Sequence, residues 1–172
     1  EADLLLALEW LGLSPPNPWQ VIGNLEDAIA VDSQVTFDHY VAQAFVVRCF
    51  DDRFRPAVEA FLKERGITRY DAESVAGGGK IFSSPEDERD REFMFRELEK
   101  SIRLHAASRV VLFSHHECGA YGGLDAFGDD REREFLYHRE EHTAARALVK
   151  TRFPSLAVET YFIDEKGVVK TF

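Results

Sequence analysis

Cysteine is scarce: two residues in a chain of 172, which is not the density of a disulfide scaffold. Basic residues are also in the minority, 21 against 31 acidic, for a net charge of −10. That sign argues against nucleic acid or an anionic membrane surface, both of which need a basic face. Long apolar runs are missing too. Runs such as Ala44–Val47 and Val110–Phe113 are far below the about 20 residues that span a bilayer. No charged n-region with an apolar signal stands at Glu1, and no internal repeat or low-complexity segment is visible. What is present is ordinary for a folded domain: 45% hydrophobic and 30% charged residues, in a length that suits one core rather than two. The expectation is a single cytoplasmic domain over 1–172, with a helical or irregular arm over 1–43 and a core over 44–172.

In the arm, Ala2–Gly12 reads as a short helix broken by Pro15, Pro16 and Pro18, and Asn24–Ala30 as a second. From Ala44 the pattern sharpens. Ala44–Cys49 reads as a buried parallel strand, and Pro56 opens a helix with Val58, Phe61 and Leu62 on its apolar stripe and Gly66 at its end. Ile67–Val75 reads as a strand leading into Ala76-Gly-Gly-Gly79. Ser84, followed by Pro85 and three acidic residues, is the expected N-cap of a helix reaching about Ala107, with Met94, Leu98 and Ile102 inward. Arg109–Ser114 is a third strand, Asp130–Arg152 a charged helix, Leu156–Ile163 a fourth strand and Val168–Phe172 a tail strand. Strands alternating with helices predict a doubly wound α/β fold, a mainly parallel sheet of four to five strands with flanking helices.

In such sheets ligands sit beyond the carboxyl ends of the strands. Two of those ends carry reactive side chains, Cys49-Phe-Asp-Asp-Arg53 and His115-His-Glu-Cys-Gly119. If the two strands are neighbours, Cys49, His115 and Cys118 meet. Two thiolates and an imidazole suit Zn²⁺, and three protein ligands leave a fourth position for water. Asp51 is placed to orient that water, and Arg53, two residues on, to hold the carboxylate ionised through a forked pair of hydrogen bonds. The plainer readings are two buried cysteines, a disulfide, and a surface ion pair.

His116 is expected to point away from the metal, and Asp52 to be solvated. Gly79-Lys80 is no phosphate loop, since Ser74 stands where that pattern needs glycine and no Ser or Thr follows the lysine. The glycines of this segment serve close backbone approach beside the metal cleft. His138 and His142, spaced i, i+4 near Glu134 and Glu141, read as a solvated helix face rather than a second metal site. Phe61, Phe93 and Phe95 are core candidates.

Three pieces in order, Cys49-Phe-Asp-Asp-Arg53, Ala76-Gly-Gly78 and His115-His-Glu-Cys-Gly-Ala120, resemble the β-class carbonic anhydrases, and Val158–Val169 resembles that family's last strand and turn. The resemblance implies one Zn²⁺ per chain on Cys49, His115 and Cys118, with Asp51 and Arg53 as a catalytic dyad. It implies reversible hydration of CO₂ to bicarbonate by zinc-bound hydroxide, a substrate pocket touching Gly77, Gly78 and Gly119, and a homodimer or higher homo-oligomer. Relatives on this scaffold hydrolyse carbon disulfide or carbonyl sulfide, and a non-catalytic zinc module is the reading of a different class. The chain departs from the family pattern at Phe50 and Asp52, at Ser74-Val75 and at Ser114.

Overall fold

The computed structural model describes residues 38–172. The two helices expected over Ala2–Gly12 and Asn24–Ala30 lie outside the described residues. Within them, β1 (Phe45–Arg48) leads through a 3₁₀ turn, Asp52–Phe54, into α1 (Arg55–Glu64). Next come β2 (Asp71–Ser74), the short α2 (Lys80–Ser83) and α3 (Glu88–His105). The chain continues with β3 (Arg109–His115), two 3₁₀ turns at Gly119–Tyr121 and Leu124–Phe127, α4 (Arg131–Arg152), β4 (Ala157–Asp164) and β5 (Gly167–Lys170). The strands form one sheet in the order β2-β1-β3-β4-β5, parallel except for the final antiparallel pair. This is the expected α/β sheet.

Alternation along the two central strands explains why they read as unbroken apolar runs. Phe45, Val47, Val110 and Leu112 pack on one side with Met94, Leu98 and Val149 from α3 and α4. Val46, Val111 and Phe113 pack on the other with Val58 and Leu62 of α1. A parallel sheet covered on both faces has no polar side to show.

β1 lies between β2 and β3, so the chain leaves β1 toward one neighbour and returns on its other side. Connections therefore diverge at the carboxyl ends of β1 and β3, the place where this architecture opens a crevice.

Several expected boundaries shift. β2 is only four residues long, because Thr68 and Arg69 give their N–H groups to Gln43 Oε1 instead of a neighbouring strand. Ser84 does not cap α3. It closes α2, and Asp87 takes the cap, accepting the Arg89 N–H at 2.8 Å. β3 runs through Ser114 to His115. The tail strand stops at Lys170, after which the Thr171 hydroxyl donates to the Thr160 carbonyl at 2.9 Å. Phe95 is in the core, but Phe93 is 46% exposed. Among the described residues no helix is long and apolar enough to cross a membrane.

Candidate metal centre

β1 ends at Arg48, and Cys49 is the next residue; β3 ends on His115, with Cys118 three residues beyond. Parallel pairing of Phe45–Val47 with Val110–Leu112 brings these ends level. Cys49, His115 and Cys118 are buried, and their ligand atoms all lie within 4.8 Å of one another. The two sulfurs are 4.0 Å apart and both thiols are free, which excludes an S–S bond. Two sulfurs held about 2.3 Å from one ion at a tetrahedral angle stand ~3.8 Å apart, so the pair fits zinc as it is.

His115 completes the set. Its Nδ1–H donates to the His116 carbonyl at 2.8 Å, while Nε2 is buried with no hydrogen-bond partner. Such an orphan nitrogen costs free energy unless something takes its lone pair, and a metal does so. Phe54 stacks on the ring at 4.1 Å between centroids and limits its rotation.

The sulfur–sulfur contact is a thiol hydrogen bond whose proton either side can donate. The hydrogen bond with Cys118, then the nearby His115 ring and the Asp51 and Gly77 N–H groups, lower the Cys49 pKa against its burial. The same Cys49–Cys118 bond, burial and the Cys49 charge push Cys118 up. A divalent cation that takes the place of that proton satisfies both sulfurs.

Asp51 caps the turn after β1. Its Oδ1 accepts the Arg53 N–H at 3.0 Å, as an aspartate does two residues before a turning amide. The Arg53 guanidinium grips both carboxylate oxygens, with Nη2–H donating to Oδ2 at 2.7 Å and Nε–H to each oxygen at 3.1 Å. That grip holds the Asp51 carboxyl down to about 2. Oδ2 is 3.9 Å from His115 Nε2, so the carboxylate stands at the edge of the ligand cluster. Asp52 pairs with Arg55 at the surface, outside the cluster.

The glycine segment lies against both strands that carry the candidate ligands. Gly79 N–H donates to the Phe113 carbonyl at 3.1 Å and Val75 N–H to the Arg48 carbonyl at 3.0 Å. Gly78 has φ +57°, and a Cβ there would fall 2.1 Å from the Phe113 oxygen and 2.8 Å from the Cys49 nitrogen. Only glycine permits that approach. Gly77, at φ +73°, faces Lys80 and Ala120. Gly119 is uncrowded; a side chain there would meet nothing within 4 Å. Beside this segment opens a cleft of about 310 Å³ whose lining mixes Ala76, Met94 and Ala120 with the charged Lys80, Glu86 and Asp90.

His116 turns away from the ligand cluster, as expected, and its Nδ1–H donates to Glu134 at 2.5 Å. The solvated-face reading of α4 is overturned. Glu134, His138 and His142 are fully buried, because the inward stripe of this helix carries polar residues where others carry leucine. Burial lowers His138 to about 3 and His142 to about 4, so both are neutral. His142 Nδ1 bonds the Thr171 hydroxyl at 2.9 Å, and neither His138 nitrogen has a partner. Among the described residues Cys49, His115 and Cys118 are the one metal-capable group found.

Residues 41–172 match the family model described as "Putative carbonic anhydrase". The chain belongs to this carbonic anhydrase-like family. An uncharacterized protein of Rickettsia bellii is 26% identical over 153 residues, covering 85% of this chain and 93% of that protein. Among solved structures, the fold is similar to β-carbonic anhydrase isoform I of Trichomonas vaginalis (TM-score 0.54, 12% identity, 100% of this chain and 97% of that one). It is also similar to a tetrameric β-carbonic anhydrase of Sordaria macrospora (TM-score 0.52, 16% identity, 76% and 81% covered). At these identities the structural likeness establishes the fold.

Proposed function

We propose that the protein is a zinc-dependent carbonic anhydrase that interconverts CO₂ and bicarbonate. The observation that carries the reading is the meeting of two thiol sulfurs with an unpartnered imidazole nitrogen beside an Asp–Arg pair, in a chain of this family. Cys49, His115 and Cys118 would hold the ion. Bound there, zinc supplies a Lewis acid that lowers the pKa of water and keeps one of four tetrahedral positions for solvent.

The chain's own groups do the rest. Arg53 occupies both Asp51 oxygens, which keeps the carboxylate ionised and holds it back from the sulfurs. From that place Asp51 accepts a hydrogen bond from the attacking water and fixes its orientation. The small side chains of Ala76 and Ala120 in the neighbouring cleft would leave room for a small linear substrate. Gly77, Gly78 and Gly119 would border the substrate, as the family resemblance implies. A homo-oligomer, dimer or larger, agrees with the tetrameric assembly named for the Sordaria enzyme.

Metal analysis with stopped-flow CO₂ hydration tests the proposal. The expected result is about one zinc per chain, with metal and activity both lost in Cys118→Ser. Full activity in metal-free protein overturns it. So does faster turnover of carbon disulfide or carbonyl sulfide than of CO₂, which would move the same site to a hydrolase.

A further inference from the structure

We infer that Glu134 is the positioning residue of the metal loop: through the His116–Glu117 peptide it aims the His115 ring and sets the reach to Cys118. The inference rests on the zinc reading above, although its geometry does not. Between His115 and Cys118 the chain must reverse within two residues, and it does so by placing Glu117 at φ +54°, a left-handed conformation for a residue with a side chain. Such a conformation persists only where the surroundings over-determine it.

The surroundings here are few and specific. Glu117 N–H donates to Glu134 Oε1 at 2.7 Å, and His116 Nδ1–H donates to Oε2. The His116 N–H is held separately by the Ile163 carbonyl of β4 at 2.8 Å. The His116 carbonyl and the Glu117 N–H belong to one planar peptide unit. That carbonyl is the acceptor for His115 Nδ1–H at 2.8 Å. Glu134 therefore fixes the peptide plane, the plane fixes the His115 ring, and the ring presents Nε2 to the sulfurs. A carboxylate wholly inside the protein is costly unless its oxygens are bonded, and these two oxygens bond one side each of the same loop. Its place in the first turns of α4, after the Asp130 cap, adds the positive end of that helix. Nothing in the H-x-x-C motif marks this glutamate, which lies 17 positions beyond Glu117 on another element.

Full-length Glu134→Gln, Glu134→Asp and Glu134→Ala separate positioning from mere packing. Glutamine reproduces both bonds, its oxygen accepting from Glu117 and its amide donating to the other His116 tautomer. Aspartate keeps the charge but is one methylene short. Zinc affinity by chelator competition, the thiolate band of the cobalt-substituted protein and hydrogen exchange at the Glu117 amide are the readouts. Expected is a 10- to 100-fold loss of zinc affinity in Glu134→Ala with an altered cobalt band, and recovery in Gln beyond Asp. Wild-type affinity and spectrum in Glu134→Ala overturn the inference, as does Asp equalling Gln if the alanine variant does not fold. A wild-type chain that takes up neither zinc nor cobalt sinks the metal reading instead. Amide exchange in the metal-free proteins then decides: Glu117 protection kept in Gln and lost in Asp supports the positioning role, and equal protection in both refutes it.

Discussion

Cys49 leaves β1 for a loop exposed at Phe50, Asp52 and Arg53, whereas His115 and Cys118 leave β3 for one exposed only at Glu117 and Gly119. On the β1 side the decisive contacts are local: Asp51 to Arg53, two residues apart, with the arginine side chain 60% exposed and the aspartate 24%. On the β3 side they are distant in sequence. Glu134 of α4 and the Ile163 carbonyl of β4 secure the loop, and the fit of the glycine segment against Phe113 joins both sides. The two halves are bridged at the surface by Arg53 and Glu117, 4.0 Å apart. A site built this way has one wall secured by distant elements and one accessible wall that carries the locally held Asp51 carboxylate.

Substitutions on the two walls sharpen or break that contrast. The largest stability effect is expected at the seam. Gly78→Ala drives a methyl group into the Phe113 carbonyl at an unfavourable φ, and should cost about 3 kcal/mol or more by denaturant titration, with loss of metal. On the open wall, Arg53→Gln should leave zinc content and stability near wild type, since exposed pairs add little, yet lower kcat/KM on the order of 10²-fold. An equal loss of metal in that variant would show the walls to be one unit.

Acid sharpens the same point. In the native chain Asp51 is depressed to about 2, chiefly by the Arg53 hydrogen bonds, against 3.8 for a free side chain. Its contribution to folding is therefore complete above about pH 4 and disappears as pH falls through 2. NMR titration should find the Asp51 midpoint moved up toward the ordinary value in Arg53→Gln. The smallest effect belongs to Phe50, 64% exposed beside Cys49. Phe50→Ser should change stability by no more than about 0.5 kcal/mol.

What the sequence discloses follows the same division. The parallel sheet was legible because doubly covered strands are uniformly apolar, as in Ala44–Val47 and Val110–Phe113. The convergence of Cys49, His115 and Cys118 was legible because strand ends are where such sheets place ligands. Asp51 with Arg53 was legible because it is a local pair. Glu134, His138 and His142 were not, since a charged helix at i, i+4 spacing reads as solvated and only tertiary packing turns that stripe inward. Ser84 misled for a related reason. It has the chemistry of a cap, but Glu141 and Lys80 claim its hydroxyl and Asp87 begins the helix.

The pairing of β1 with β3 has a consequence for biosynthesis. Cys49 emerges from the ribosome 69 positions ahead of Cys118, and the strand that will align them is made only in between. Until both strands have docked, the growing chain presents one bare sulfhydryl and no coordination sphere, and a non-local parallel pairing of this kind is slow to form. Any ion held by this site would therefore be acquired after folding, which makes the folding intermediate, not the folded protein, the form most open to oxidants and to the wrong cation.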